Sequence, residues 1–376
     1  MRVLLVGGAG FIGSHLATAL ADHGHVITIL DSLLPQVHGP NAEFAPSLSR
    51  IATCVRGDAA DVDALRGCLD DQEVIYWLAA ETGTGQSMYR VQRYVATNVG
   101  ALGTLFDLLV GHRRAVRRIV LASSRAVYGE GAYHCPADGL VVPRSRAGRD
   151  PRLGWNPACP ICGGPVEARP TSETSPPAPT SVYGWTKRAQ EELLELLAHA
   201  TAVERVALRF QNVFGAGQAI RNPYTGVLMA FSLRALDGQT LGLYEDGEIA
   251  RDFVHVRDVV RALLSAGERR GLDGEVINIG SGVPATIREV AMLIRDAVGS
   301  DSPIEVGGQF RVGDIRYAVA ALDRARALLG YAPQVSLAEG IRELVAWVRT
   351  EEAPPDLLAA SERELAERGL LKVARA

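Results

Sequence analysis

The chain has 376 residues, of which 47% are hydrophobic and 22% charged, ordinary proportions for a soluble folded protein that can bury one large core or two unequal ones. A net charge of -4 leaves no basic footprint for nucleic acid, and apolar stretches such as Val290 to Val298 are broken by charges such as Arg295, so neither a nucleic-acid nor a membrane partner is expected. Five cysteines in a chain of this length do not read as a disulfide framework, and the apolar start Val3 to Val6 is too short for a signal peptide, which makes the cytoplasm the expected location.

The first element is a short apolar strand, Val3 to Val6, that runs into Gly7, Gly10 and Gly13 and then into a helix. Glycines at these positions let the backbone turn sharply and approach a pyrophosphate, while the helix start at Phe11 and Ile12 offers free N–H groups and a partial positive charge to an anion. Gly13 is expected to let the helix lie close on the sheet. A second strand, Val26 to Leu30, ends in Asp31, close to the spacing at which a carboxylate holds an adenosine ribose and repels a 2′-phosphate; NAD is therefore favoured over NADP. The bland alternative is an Asp that merely caps a strand.

An irregular stretch with Pro35, Pro40 and Pro46 leads to a third strand, Ile51 to Val55, ending at Gly57-Asp58, where Asp58 can reach an adenine amino group. A helix over Asp61 to Leu69 and a fourth strand over Val74 to Leu78 follow. Leu78, Ala79 and Ala80 then supply small side chains on which a cofactor can lie. Next is the polar, glycine-rich loop Thr82 to Ser87, at a strand's carboxyl end where open α/β sheets bind ligands; Thr84 and Gln86 are its substrate candidates. A long helix from Ser87 carries Asn98, counted with the cofactor's neighbours, towards Leu109. The arginines Arg113, Arg114, Arg117 and Arg118 read as a solvated loop before the fifth strand, which delivers Ser124 to the same edge. Strands alternating with helices predict a parallel sheet covered on both faces.

Farther on, Tyr183 and Lys187 lie four apart at the start of an amphipathic helix and so share a face. An adjacent ammonium and a cationic nicotinamide would favour the ionised tyrosine, making it a general acid or base, with Ser124 bonding the reacting oxygen.

Together, Gly7-x-x-Gly10-x-x-Gly13, Asp31, Gly57-Asp58, Leu78-Ala-Ala80, Ser123-Ser124 before Val127-Tyr-Gly129, and Tyr183-x-x-x-Lys187 resemble the extended short-chain dehydrogenase/reductase family, over most of the chain. Within it the chain is similar to the NAD-dependent nucleotide-sugar epimerases and dehydratases. The resemblance implies a Rossmann-type doubly wound parallel sheet with a smaller mixed α/β substrate domain, and catalytic roles for Ser124, Tyr183 and Lys187, the last two also holding the cofactor. It implies Asn212, in Leu208-Arg-Phe-Gln-Asn212, and Arg251, in Arg251-Asp-Phe-Val-His255, as ligands of a nucleotide-diphosphate sugar. Arg316 and Arg125 join them as substrate candidates, since a planar guanidinium can donate two parallel hydrogen bonds to a diphosphate. A homodimer through the helices around Asn98 and Tyr183 is also implied.

Two departures from the family matter. The resembled dehydratases carry Asp-Glu directly after the catalytic hydroxyl residue, whereas this chain has Arg125-Ala126, which disfavours loss of water; Trp77 stands where the family often has His, with no functional meaning assigned. Ser124 and Tyr183 are also 59 positions apart, much farther than is typical, so an insertion over 130–178 lies between them. It holds Cys135 and then Cys159-Pro-Ile-Cys162-Gly-Gly, a zinc-knuckle spacing. Cys135, Cys159 and Cys162 are expected to share a structural Zn²⁺ with Asp138, or less conveniently His134, as fourth ligand; free thiols or a redox pair are the alternatives. The resembled dTDP-L-rhamnose 4-epimerase group carries a similar cysteine-containing insertion.

The expected organisation is a dinucleotide-binding domain over 1–208, a substrate-binding part over 209–350 interleaved with the sheet, and a tail over 351–376 with Pro354-Pro355 and a charged helix near Ser361 to Arg368, to which no chemistry is assigned. Hydride chemistry at C4 of a nucleotide sugar is the expected activity, with 4-epimerisation of a dTDP-6-deoxyhexose favoured. An NAD(P)H-consuming 4-ketoreductase has the same Ser, Tyr and Lys. A catalytically silent dinucleotide-binding protein is the remaining alternative.

Overall fold

The computed structural model describes residues 1–110, 115–143, 154–224, 226–352 and 357–373. Arg113, Arg114, Pro354 and Pro355 lie outside them. The centre is a seven-stranded parallel sheet of β1 (Arg2–Val6), β2 (Val26–Asp31), β3 (Ala52–Arg56), β4 (Val74–Trp77), β5 (Arg118–Ser124), β6 (Glu204–Phe210) and β7 (Glu275–Ile279). Their spatial order is β7-β6-β5-β4-β1-β2-β3, so the order reverses between β1 and β4, and a crevice opens at the carboxyl ends there. Val6 sits in register with Leu30 on one side and Trp77 on the other.

Helices cover both faces, which is why these strands are almost continuously apolar. Alternation along β1 sends Val3 and Leu5 to one face, against Leu16 and Leu20 of α1 (Phe11–Asp22), and Leu4 and Val6 to the other, against Leu102, Leu105 and Leu194. A third core, around Phe214, Phe231, Ile294 and Leu344, holds the smaller part together. There the strand Ala250–His255 pairs in parallel with Asn212–Phe214 and antiparallel with Pro284–Thr286. The two parts interleave: residue 208 falls inside β6, and β7 returns from the smaller part to close the sheet's edge.

The single helix expected from Ser87 to Leu109 is broken. Short helices at Thr84–Ser87 and Val91–Tyr94 lead through a π-helical turn, Val95–Gly100, into the helix Ala101–Leu109. The π turn holds Asn98, whose fully buried amide donates to the Glu81 carbonyl and the Thr186 hydroxyl and accepts from the Glu81 N–H. Three bonds to other elements fix the side chain, and an inserted residue in the helical ladder is a common way to aim one. The insertion forms a small antiparallel sheet in which Tyr133–Cys135 lies between Gly139–Val141 and Glu167–Ala168. Among the described residues no helix is long and apolar enough to cross a membrane.

Candidate active site

A cavity of about 810 Å³ opens along the carboxyl ends of the sheet, towards the upper end of the range of about 300–1,000 Å³ usual for small-molecule sites. One end is built by the glycine turn. Gly7 has φ +81°, and a Cβ there would lie 2.6 Å from the backbone nitrogen of Ala79; at Gly13 it would lie 2.6 Å from the Cα of Gly8. Gly13 thus lets the helix close on the turn itself rather than on the sheet. Gly10, Phe11 and Ile12 line the wall where α1 starts, with Asp31, Asp58, Leu78, Ala79 and Ala80 around them. Asp31 organises this end, since its carboxylate accepts from the N–H groups of Ala9 and Leu33, both at 2.9 Å. Each oxygen keeps a lone pair for a ribose hydroxyl. A turn that excludes side chains, a free helix start and a carboxylate at the tip of β2 together suit a dinucleotide without a 2′-phosphate.

At the other end stand Ser124, at the tip of β5, and Tyr183, near the start of α2 (Val182–Ala200), both at the cavity wall. Ser124 also accepts from the Ala126 N–H at 3.1 Å, which fixes its rotamer. Burial is the larger influence on Tyr183 and pushes its pKa up, with the Ser124 hydrogen bond and the charge of Arg125 pulling the other way. Lys187, the ammonium expected beside it, stands one helical turn farther along α2. That lysine is 2% exposed, donates to the Ala122 carbonyl at 2.8 Å, and lies 6.0 Å from the centre of the Tyr183 ring. Burial pushes its own pKa down to about 7, against the opposing charge of Glu191.

Thr84, Arg125, Asn212 and Arg251 also line the cavity, but four expected residues do not. Asn98 is buried behind the wall, tying the segment after β4 to α2, so it positions rather than contacts. Lys187 stands behind Tyr183. Gln86 accepts from the Tyr94 hydroxyl and the Gln36 amide. Arg316 is held by the carboxylates of Glu245 and Asp246, with Nη1 2.6 Å from the latter, and by Asn156. The spacing in Gly313-Asp-Ile-Arg316 carried no information about those acids, which lie 70 positions away.

Conversely, Arg311 was missed and lines the cavity beside Arg125 and Arg251, its guanidinium 4.8 Å from the Tyr244 ring centre. Burial and the neighbouring Arg251 push the Arg125 pKa down to about 10, a site in need of an anion. Leu358, Ser361, Glu362 and Leu365 of α3 (Leu357–Glu367) form another part of the wall, although no chemistry was expected of the tail. Glu191 was missed as well. One helical turn beyond Lys187, it binds Arg209 at 2.6 Å and the Ser123 hydroxyl at 2.5 Å.

Comparison with known proteins gives the same reading. The model of the NAD dependent epimerase/dehydratase family matches residues 3–145 and 159–280. The chain is 40% identical over 354 residues to a dTDP-L-rhamnose 4-epimerase from Burkholderia thailandensis, covering 93% of this chain and 95% of that one. It is 32% identical to a UDP-glucose 4-epimerase from Mycolicibacterium smegmatis, covering 93% and 99%. Among solved structures, MoeE5 in complex with UDP-glucose and NAD superposes with a TM-score of 0.73 at 31% identity, covering 93% and 99%. This protein is therefore an enzyme-type short-chain dehydrogenase/reductase chain and belongs to the NAD dependent epimerase/dehydratase family.

Proposed function

We propose that the protein is a cytoplasmic 4-epimerase of a nucleotide-diphosphate 6-deoxyhexose, with a dTDP-sugar as substrate and NAD as the retained cofactor. The observation that carries this reading is Ser124 and Tyr183 together at the cavity wall, with Arg125 where elimination of water would need an acid. The glycine turn, Asp31 and Asp58 hold the dinucleotide, and Arg125, Arg251 and Arg311 supply charge for the diphosphate. Bound NAD would supply the hydride acceptor, and then donor, for sugar C4. Tyr183 removes the proton from the C4 hydroxyl and later gives it back, Ser124 holds the same oxygen, and Lys187 fixes the tyrosine's surroundings. Turning of the 4-keto sugar between the two hydride transfers inverts C4. Any metal on the cysteine cluster stays outside this chemistry, because none of its four residues lines the cavity. A homodimer through the helices around Asn98 and Tyr183 is supported by apolar surface on α2, where Trp185 and Leu196 are exposed.

The test is to release and identify the nucleotide from freshly purified protein, then supply a dTDP-4-keto-6-deoxyhexose with NADH or NADPH while following nicotinamide absorbance. Tightly held NAD with no net oxidation supports the epimerase. Stoichiometric loss of added reduced nucleotide makes the protein a 4-ketoreductase, and no turnover of any nucleotide sugar leaves a silent binding protein. With substrate in hand, Tyr183→Phe is expected to lose about 100- to 10,000-fold in kcat while keeping its nucleotide; near-normal turnover would remove Tyr183 from the mechanism.

A further inference from the structure

The insertion buries very little. Among its described residues the buried core is Tyr133, Cys135, Val141 and Cys159, with Val166, Ala168 and Tyr317 partly buried against it, so two of these four buried side chains are thiols. A core this small does not order three short strands unaided, and natural folds of such size are stapled by disulfides or metals. The thiols do not scatter. Cys135 closes the middle strand, and Cys159 to Gly164 folds into a tight turn in which Gly163 N donates to the Cys159 carbonyl at 3.0 Å and Cys159 N donates to the Gly164 carbonyl at 2.9 Å. Within that turn the Ile161 N–H points at Cys159 Sγ, 3.4 Å away, a donor suited to a thiolate.

Four donor atoms from two separate segments converge. Cys135 Sγ lies 3.5 Å from Cys162 Sγ and 3.3 Å from Asp138 Oδ2, which in turn is 3.1 Å from Cys159 Sγ. All four ligand atoms lie within 4.8 Å of one another, while the alternative ligand, His134, points to solvent. With Zn–S about 2.3 Å and Zn–O about 2.0–2.2 Å, a tetrahedral ion needs ligand-to-ligand edges of about 3.4–3.8 Å. Of the three contacts named, Cys135–Cys162 at 3.5 Å falls in that range, and the two to Asp138, at 3.3 and 3.1 Å, are a few tenths of an ångström shorter. We propose that Cys135, Asp138, Cys159 and Cys162 bind one structural Zn²⁺ that clamps the insertion against the wall of the sugar-nucleotide site. Three soft thiolates select zinc over magnesium or calcium, and four protein ligands leave no open position for catalysis.

The clamp reaches the site through hydrogen bonds on both sides of the knuckle. Just before the metal strand, Glu130 accepts from the Arg316 N–H at 2.9 Å; just before the knuckle, Asn156 accepts from Arg316 Nε at 2.9 Å. After the knuckle, Thr171 donates through its N–H to the Val319 carbonyl at 2.8 Å and accepts from the Ala321 N–H at 3.0 Å. Both arms of the insertion therefore grip residues 316–321. Arg251, at the cavity wall, donates to the Ile315 carbonyl at 2.8 Å and to Asp314 at 2.7 Å. Loss of the metal is expected to loosen this strand, and with it Arg251, without touching Ser124 or Tyr183.

Elemental analysis of full-length protein purified without chelator should find about one zinc per chain. Stripped protein reloaded with Co²⁺ alone should show the visible bands and near-ultraviolet thiolate charge transfer of a tetrahedral site. Cys162→Ser, on the exposed side of the turn, and Asp138→Asn should each weaken metal binding by about tenfold or more, the loss already seen when only an outer-shell partner is removed. Folded protein with no zinc and three titratable thiols would overturn the proposal, as would a disulfide between two of them. These readouts need no substrate, so a failed catalytic assignment leaves them standing. For the clamp itself, metal removal should raise KM for the nucleotide sugar far more than it lowers kcat; equal loss of both would make the metal a fold element only.

Discussion

Tyr183, Lys187 and Glu191 stand one turn apart along α2, and the charge of Glu191 opposes the burial that lowers the Lys187 pKa. Glu191 is committed to Arg209 and Ser123, so it stabilises charge on Lys187 without neutralising it through a direct bond. Lys187 is left with a pKa near 7, a reserve of positive charge that responds to what binds beside it. Arg311 is the residue whose role is most open to a simple test. Its stacking on Tyr244 holds the guanidinium plane, with Nη2 3.3 Å from the Tyr244 hydroxyl. Arg311→Lys keeps the charge but loses the plane, the stacking and the two-pronged donation, each lost hydrogen bond to a charged group costing about 1.5–3 kcal/mol. The expected result is a rise of about tenfold or more in KM for the nucleotide sugar, with kcat changed much less. Steady-state kinetics decides it, and an unchanged KM would remove Arg311 from the diphosphate site.

The helix α3 shows the same logic one scale up. Leu358, Ser361, Glu362 and Leu365 recur at the three- and four-residue steps of one helical face, and that face meets the cavity. Glu362 accepts from the Tyr244 hydroxyl at 2.6 Å, Glu364 from the Tyr224 hydroxyl at 3.1 Å, and Arg368 stacks 4.2 Å from the Tyr89 ring centre. The strand Leu371–Val373 then pairs with Gln309–Arg311, the strand that bears Arg311. A chain ending at Thr350 forfeits at least two of these hydrogen bonds, about 1–3 kcal/mol, and KM for the nucleotide sugar is expected to rise about 10- to 100-fold. Retained nucleotide should be unchanged, because the glycine turn and Asp31 belong to β1, α1 and β2; equal loss of both would mean general unfolding. A charged helix near Ser361 to Arg368 was legible in the sequence, but not its start at Leu357 nor what it faced. The glycine turn and Asp31 meet at the cavity wall as the sequence suggested, because strands, a turn and a helix within 31 residues place them by local rules. The arginines proposed for the diphosphate were read unevenly, with Arg251 at the wall, Arg316 tied up by Glu245 and Asp246, and Arg311 overlooked. An arginine's partner there is set by tertiary contacts tens of positions away, and charge alone does not say which one it meets. Asn98 failed for a related reason, since no helical period announces a π turn.

His255 stands where the two parts of the molecule join. It ends the strand Ala250–His255 of the smaller part and caps the helix Val256–Glu268, which packs on α1 beneath the main sheet. Its ring is 3% exposed, meets Phe214 edge-on at 5.5 Å, and lies where a Cβ on Gly340 would come within 2.9 Å. Nδ1 accepts from the Arg257 N–H at 3.3 Å, a bond that the neutral ring alone can make, while Nε2 faces Glu343 at 3.5 Å. Burial, then the charge of Arg257, push its pKa down to about 4 from an ordinary 6.5. Below about pH 6.5 the unfolded chain takes a proton at this position and the native chain does not, so stability contributed above that pH drains away as pH falls towards 4. The shift corresponds to about 3 kcal/mol. His255→Asn places an amide oxygen near the position of Nδ1 and keeps an acceptor for the Arg257 N–H, but it cannot titrate in this range. Denaturant unfolding at pH 7 and pH 4.5 should show wild type losing about 2–3 kcal/mol more than His255→Asn over that interval, whatever the carboxylates contribute to both. If the two proteins lost stability in parallel, the joint between the sheet and the smaller part would owe its acid sensitivity to some other group.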